Sequence, residues 1–272
     1  MVRSLWTGAT GMNAQQTNVD TIANNLANVN TTGYKTQESE FKSLLYQTLQ
    51  TKTTTANGDP VPTTSQVGLG TRNSSINSIF TQGNMIASQS STAFAIEGKG
   101  FFAVKGEDGE DYYTRNGDFA WATNGSGGVI LTNTDGLPVL DTTGKTITFN
   151  SSYVTSKLTV SGDGTICYPD STGNASSTGK TIGLYQFQNP SGLERKGDSL
   201  WAVTGASGKV INEATNSSVE KSKVRSGYLE GSNVQVADEM VNLIVAQRAY
   251  EMNSKVITTT DTMMDEANNL KR

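Results

Sequence analysis

The chain has 272 residues, a formal net charge of −4, no histidine and one cysteine, Cys167. Without histidine there is no Ser-His-Asp or Cys-His catalysis, no His-ligated zinc and no imidazole switch. A single cysteine excludes an internal disulfide and a multi-Cys metal site. Charged residues make up 17% and the balance is acidic, so neither a nucleic-acid footprint nor a polybasic membrane patch is present.

From the N-terminus, Leu5, Met12, Val19 and Leu26 recur every seven residues. Ala9, Gln16 and Ala23 stand four positions after the first three. This is an a/d heptad seam and predicts a helix. Asn28 to Gly33 supply the residues that close a helix with a left-handed cap. Residues 31–75 read as a connector. Within it, Glu40 to Leu49 suit a short helix or strand. The Thr-rich segment after Gln50 contains an Asn57-Gly58 turn and Asp59-Pro60-Val61-Pro62. That composition fits an extended hairpin or arm, or a plain loop.

Residues 76–231 are β-rich. Phe94–Val104 reads as two strands about a Gly turn, and Glu107–Glu110 as a hairpin tip before Tyr112–Thr114. Turn signals recur at Asn116-Gly117, Asn124-Gly125, Asp135-Gly136, Thr143-Gly144 and Asp163-Gly164. Short runs such as Thr146–Phe149 and Lys157–Val160 lie between them. Closely spaced short strands predict a sandwich or barrel-like domain.

The last stretch carries Val236, Met240, Leu243, Gln247, Tyr250, Ser254, Ile257, Asp261 and Met264 in steps of four and three. A second apolar stripe, Val241, Ile244, Val245, Met252 and Val256, runs beside it. Roughly 35 residues would form a helix about 50 Å long, with Ser232, Asn233 or Asp238 as N-cap. Two stripes exceed what one partner helix covers. The fold class expected is therefore α+β: terminal helices (1–30 and 232–272) paired as a coiled-coil-like domain, an extended β arm, and a central all-β domain (76–231).

No catalytic constellation stands out. Asn174–Thr181 imitates a phosphate loop, but the required Gly is displaced by one and a strand follows where a helix is needed. Ser218-Val219-Glu220-Lys221 matches Ser-x-x-Lys without its companion motifs. The cluster Glu107, Asp108, Glu110, Asp111 lacks calcium-loop spacing and suits a solvated hairpin tip. Cys167 reads as a buried, inert thiol. No catalytic residue, metal site or cofactor is expected, and no nucleic acid.

Four segments together carry a resemblance. Asn24–Lys35 (NNLANVNTTGYK) and Val234–Lys255 (VQVADEMVNLIVAQRAYEMNSK) resemble the N- and C-terminal signatures of the bacterial flagellar rod and hook axial proteins. Ile96–Phe102 (IEGKGFF) and Tyr113–Gly117 (YTRNG) resemble the family's markers in the β region. Leu44–Leu49 followed by a Thr-rich arm is most similar to the distal-rod branch. Hook members are usually longer and lack the arm; a hook or proximal-rod subunit is the near alternative. From a different class, a β-domain enzyme acting on cell-wall glycan is the competing reading.

The resemblance implies a structural, non-enzymatic subunit of the flagellar basal body, polymerising helically into a rod that drives the hook. Its partners would be copies of itself, other rod and hook proteins, the rings around the rod and the flagellar type III export apparatus. Export by that apparatus would account for a first segment without a secretory apolar core. The expected assembly interface is Leu5, Met12, Val19, Leu26, Val236, Met240, Leu243, Tyr250, Ile257 and Met264. Phe41 and Leu45 resemble the Phe-x-x-x-hydrophobic export signal of early substrates.

Overall fold

The computed structural model describes residues 2–50, 65–125, 127–150, 153–170, 174–216 and 218–270. The chain divides into two compact units. One comprises residues 1–27, 37–78 and 235–272, the other 28–36 and 79–234.

The first unit holds helix α1 (Val2–Ala27), strands β1 (Gln37–Ser43), β2 (Tyr46–Gln50), β3 (Ser65–Gly68) and β4 (Thr71–Ser78), and helix α2 (Val236–Asn269). α2 has 34 residues, close to the length its periodicity predicts. β1 pairs antiparallel with β4, with a register shift at Glu40/Phe41, and β2 pairs antiparallel with β3. Leu44 N–H donates to the Gly70 carbonyl at 2.9 Å and Leu69 N–H to the Leu45 carbonyl at 3.2 Å. These bonds join the two ladders into one ribbon that leads into residues 51–64. The Thr-rich arm itself lies outside the described residues.

The second unit carries the remaining strands: β5 (Met85–Ala87), β6 (Phe94–Glu97), β7 (Phe101–Lys105), β8 (Asp111–Thr114), β9 (Phe119–Thr123), β10 (Val129–Asn133), β11 (Thr148–Phe149), β12 (Thr159–Val160), β13 (Thr165–Pro169), β14 (Ala175–Thr181), β15 (Leu184–Gln186), β16 (Glu194–Gly197), β17 (Leu200–Ala202), β18 (Ile211–Asn212), β19 (Lys223–Ser226) and β20 (Tyr228–Glu230). The largest sheet is antiparallel, in the order β16-β17-β8-β7-β15-β18. Three-stranded sheets β11-β10-β9 and β12-β13-β14 accompany it, with two-stranded pairs β19-β6 and β20-β5.

β7 shows how this unit makes its core. Successive side chains on a strand face opposite ways. Phe102 and Val104 enter a cluster with Phe94, Phe119, Leu131 and Ile166. Phe101 and Ala103 enter a second cluster with Tyr113, Tyr185, Phe187 and Trp201. Both faces of β7 are thus buried, which is why FFAV reads as a continuous apolar run. Edge-to-face contacts, such as Phe102–Phe119 at 5.1 Å and Tyr113–Phe187 at 4.9 Å, fix the ring packing.

Three local expectations are corrected. Lys157 ends a short 3-10 turn (Thr155–Lys157) and is not in a strand. Cys167 is half-buried in β13, opposite Thr159 and Ser177, and not fully enclosed. α2 starts after Gln235 with no side-chain cap, because the Asn233 carboxamide is used inside the β unit. Its oxygen accepts from Thr36 N–H at 2.7 Å and Thr36 hydroxyl at 2.8 Å. Its nitrogen donates to the Ile79 carbonyl at 2.9 Å and Thr81 hydroxyl at 2.8 Å. Asp238 and Glu239 fill the first turn of α2 instead, where the helix dipole favours negative charge.

Candidate assembly interface

The two helices of the first unit pack antiparallel. Ser4 and Thr260 share a hydroxyl hydrogen bond at 3.4 Å. A Cβ placed on Gly8 would stand 3.0 Å from Ile257, and one on Gly11 would stand 2.8 Å from the Asn253 carboxamide. Near the other end, Asn25 Nδ2 donates to Glu239 Oε2 at 3.4 Å. The line of α1 that faces α2 is thus Ser4, Gly8, Gly11 and Asn25. It lies one residue before the heptad Leu5, Ala9, Met12 and Leu26. Glycine inside a helix costs roughly 0.5–1 kcal/mol relative to alanine; here it permits close backbone approach.

The large residues of the expected seam flank this line. Leu5, Met12, Val19 and Leu26 are half-buried, as are Leu243, Ile257 and Met264. Val236, Met240 and Tyr250 are exposed on α2, together with Val241, Ile244, Val245, Met252 and Val256. One helix therefore presents a broad unpartnered apolar face within the subunit. Phe41 is 39% exposed on β1 and Leu45 is 81% exposed just after it.

Asn25 also clasps Gln37. Its carboxamide oxygen accepts Gln37 N–H at 2.9 Å and its nitrogen donates to the Gln37 carbonyl at 2.8 Å. Burial pushes the Glu239 carboxyl above its ordinary pKa. Asp238 and Glu38 push it further, and the Asn25 hydrogen bond opposes them.

In the second unit a buried charge cluster ties three distant segments together. Glu230 Oε1 accepts from Lys35 Nζ at 2.6 Å, and its Oε2 accepts from Arg115 Nη1 at 3.2 Å. Lys35 also donates to the Thr81 carbonyl at 2.7 Å, and Arg115 Nη2 to the Gly98 carbonyl at 2.9 Å. Gly83 N–H adds a bond to Glu230 at 3.0 Å, and the Arg115 guanidinium stacks 4.9 Å from the Phe101 ring. Burial lowers the pKa of both cations, while Glu230 opposes that shift. Gly33 completes the junction. Its N–H donates to the Glu230 carbonyl at 2.8 Å. It holds φ +69 with its Cα against the Arg115–Asn116 backbone, where a Cβ would stand 2.5 Å from Asn116 N, so only glycine fits there. A second buried carboxylate, Glu213, accepts from Gln186 Nε2 at 2.9 Å, Ser222 N–H at 2.7 Å and Ser222 hydroxyl at 2.9 Å. Both carboxylates are saturated with donors, which is the arrangement of a structural anchor and not of a proton-transfer pair.

Sequence reading missed Lys35, Arg115 and Glu230 because their partners are distant in the chain, and Glu213 because its partners lie across loops that no periodicity marks. It missed Gly8 and Gly11 although their presence in a helix was the available signal. Among the described residues no group of acidic or thiol side chains is spaced to hold a metal ion.

Comparison with known proteins matches these segments. Residues 5–35 match the family described as flagella basal body rod protein. Residues 95–168 match the flagellar hook protein FlgE/F/G D1 domain, and 225–270 the flagellar basal body rod FlgEFG protein C-terminal family. The flagellar basal-body rod protein FlgG of Borreliella burgdorferi is 43% identical over all of both chains. The chain belongs to the flagellar basal-body rod protein family. The Agrobacterium fabrum FlgG is 40% identical, covering 96% of this chain and 97% of its own. The Bacillus subtilis FlgG is 34% identical over all of both. Membership makes the protein a structural rod subunit of the flagellar basal body and not an enzyme, which removes the glycan-hydrolase alternative. Each of Lys35, Arg115 and Glu230 falls in a different one of the three matched regions, so the charge cluster is where those regions meet.

Proposed function

We propose that the subunit polymerises helically into the distal rod, a drive shaft that passes torque to the hook. α1 and α2 would pair in coiled-coil fashion along the inner wall of the tube, with the β unit outside. The rod would cross the periplasm inside the ring proteins, after export of the chain through the type III apparatus. Copies of this chain and neighbouring rod and hook proteins are its contacts. The observation that carries this reading is the apolar face of α2. Val236, Met240, Val241, Ile244, Val245 and Tyr250 lie open in the subunit, in a chain collinear with rod proteins from end to end. Apolar patches of this kind mark protein contacts, and a helical lattice of heterologous contacts supplies several neighbours at once.

Met240→Asp and Val245→Asp test it. Both positions are exposed, so the subunit folds as before by circular dichroism. In a polymer each would bury an unpaired charge, costing several kcal/mol. Sedimentable rods and motility should therefore be lost together. Motile cells carrying Val245→Asp would refute the interface.

A further inference from the structure

Two Asn-Gly pairs lie among the described residues, and the fold treats them differently. Asn116-Gly117 is locked. The Asn116 carboxamide oxygen accepts from Thr32 hydroxyl at 2.9 Å and Asp118 N–H at 3.1 Å. Gly117 is buried, and a Cβ on it would collide with the Phe94 carbonyl oxygen. Asn124-Gly125 forms the tip of the β9–β10 hairpin, and both residues are exposed. Among the described residues the turn is held by main-chain bonds: Asn124 N–H to the Gly128 carbonyl at 2.7 Å, and Gly127 N–H to the Asn124 carbonyl at 2.9 Å. Among the described residues the Asn124 carboxamide has no hydrogen-bond partner, and nothing lies within 4 Å of a Cβ on Gly125.

We propose that Asn124 is a site of spontaneous deamidation in the folded protein. The chemistry needs only water and a base. Gly125 N loses its proton to solvent and attacks Asn124 Cγ. A new C–N bond closes a five-membered succinimide, and the bond to the side-chain nitrogen breaks to release ammonia. Water then adds across either imide C–N bond, leaving aspartate or isoaspartate. Attack requires the carboxamide carbon to reach the next main-chain nitrogen. Glycine puts no side chain in that path, and the carboxamide gives up no bond to any described residue. At Asn116 the same attack would break two hydrogen bonds within a packed turn. The product adds one negative charge at the hairpin tip. The isoaspartate form also lengthens the main chain by a methylene beyond the Thr123–Val129 pair that closes the ladder.

The test is incubation of the purified full-length chain at neutral to mildly alkaline pH, with peptide mapping at intervals. Electron-transfer fragmentation separates the two sites and distinguishes aspartate from isoaspartate. Conversion at Asn124 should exceed that at Asn116 severalfold in the native protein, and the two should converge in urea. Gly125→Val, at an open position without positive φ, should suppress conversion severalfold while leaving the circular dichroism spectrum unchanged. Native Asn124 reacting no faster than Asn116, or Gly125→Val reacting at the original rate, would overturn the proposal.

Discussion

Glu230 answers two buried cations at once, and none of the three side chains touches solvent appreciably. Removing one member of such a set leaves uncompensated charge in a low dielectric, typically at a cost of 3–5 kcal/mol. Glu230→Ala should therefore destabilise the β unit by about that amount in urea unfolding. The loss should exceed that from Glu97→Ala, whose pairing with Arg225 at 2.8 Å is half-exposed and screened by solvent. Glu239 has the opposite sign. Its folded pKa lies above its ordinary value of 4.5, so the folded state keeps a proton that the unfolded chain releases. Stability from this group is greatest at low pH and is lost as pH rises through the folded pKa. Glu239→Gln should raise the melting temperature of the helical unit at neutral pH and flatten its pH dependence above about pH 4.5.

At the scale of elements, both terminal helices were legible because their apolar spacing runs for many turns without proline. The line of contact between them was not. Seven-residue periodicity is most visible in large side chains, yet a closely approached line is made of small ones. Leu5 and Met12 therefore stand beside the contact that Gly8 and Gly11 make. The strands about FFAV and the hairpin tips were legible from turn residues, whereas Lys157 was read as strand because a 3-10 turn leaves no periodic trace. The Lys35–Arg115–Glu230 cluster is formed by pairing between segments up to 195 positions apart, and no local pattern encodes that. Phe41 and Leu45 belong to this scale too. Both are exposed on the ribbon, so truncating them costs the folded subunit little. Phe41→Ala with Leu45→Ala should leave full-length protein in the cytoplasm if the pair is read during export. Normal secretion followed by failed polymerisation would assign the pair to packing instead.

The molecule as a whole is two units with different kinds of stability. The β unit has two aromatic clusters and saturated buried carboxylates of its own. The helical unit has a short ribbon and a helix contact where Ser, Gly, Asn and Thr meet Ile257, with Ala14, Ile22 and Ala246 as its buried apolar residues. Such a chain should not unfold as one cooperative block. A variant ending at Val234 lacks α2 but keeps Lys35, Arg115 and Glu230. It should retain the main thermal transition of the β unit in calorimetry, lose most helical signal at 222 nm and fail to polymerise. Loss of the β transition in that variant would show that the two units depend on each other for folding.

The glycine-lined contact between α1 and α2 has a kinetic consequence. The close approach along Gly8 and Gly11 uses only part of the apolar surface of the two helices, and the exposed side of α2 stays uncovered in a lone subunit. The greasy surface of α2 is held in reserve. In the proposed polymer, a subunit arriving at a growing end would bury that surface against several neighbours at once, whereas two subunits meeting in dilute solution would bury only part of it. Elongation should therefore outrun the formation of new seeds, and preformed rods added to free subunits should abolish any lag in assembly.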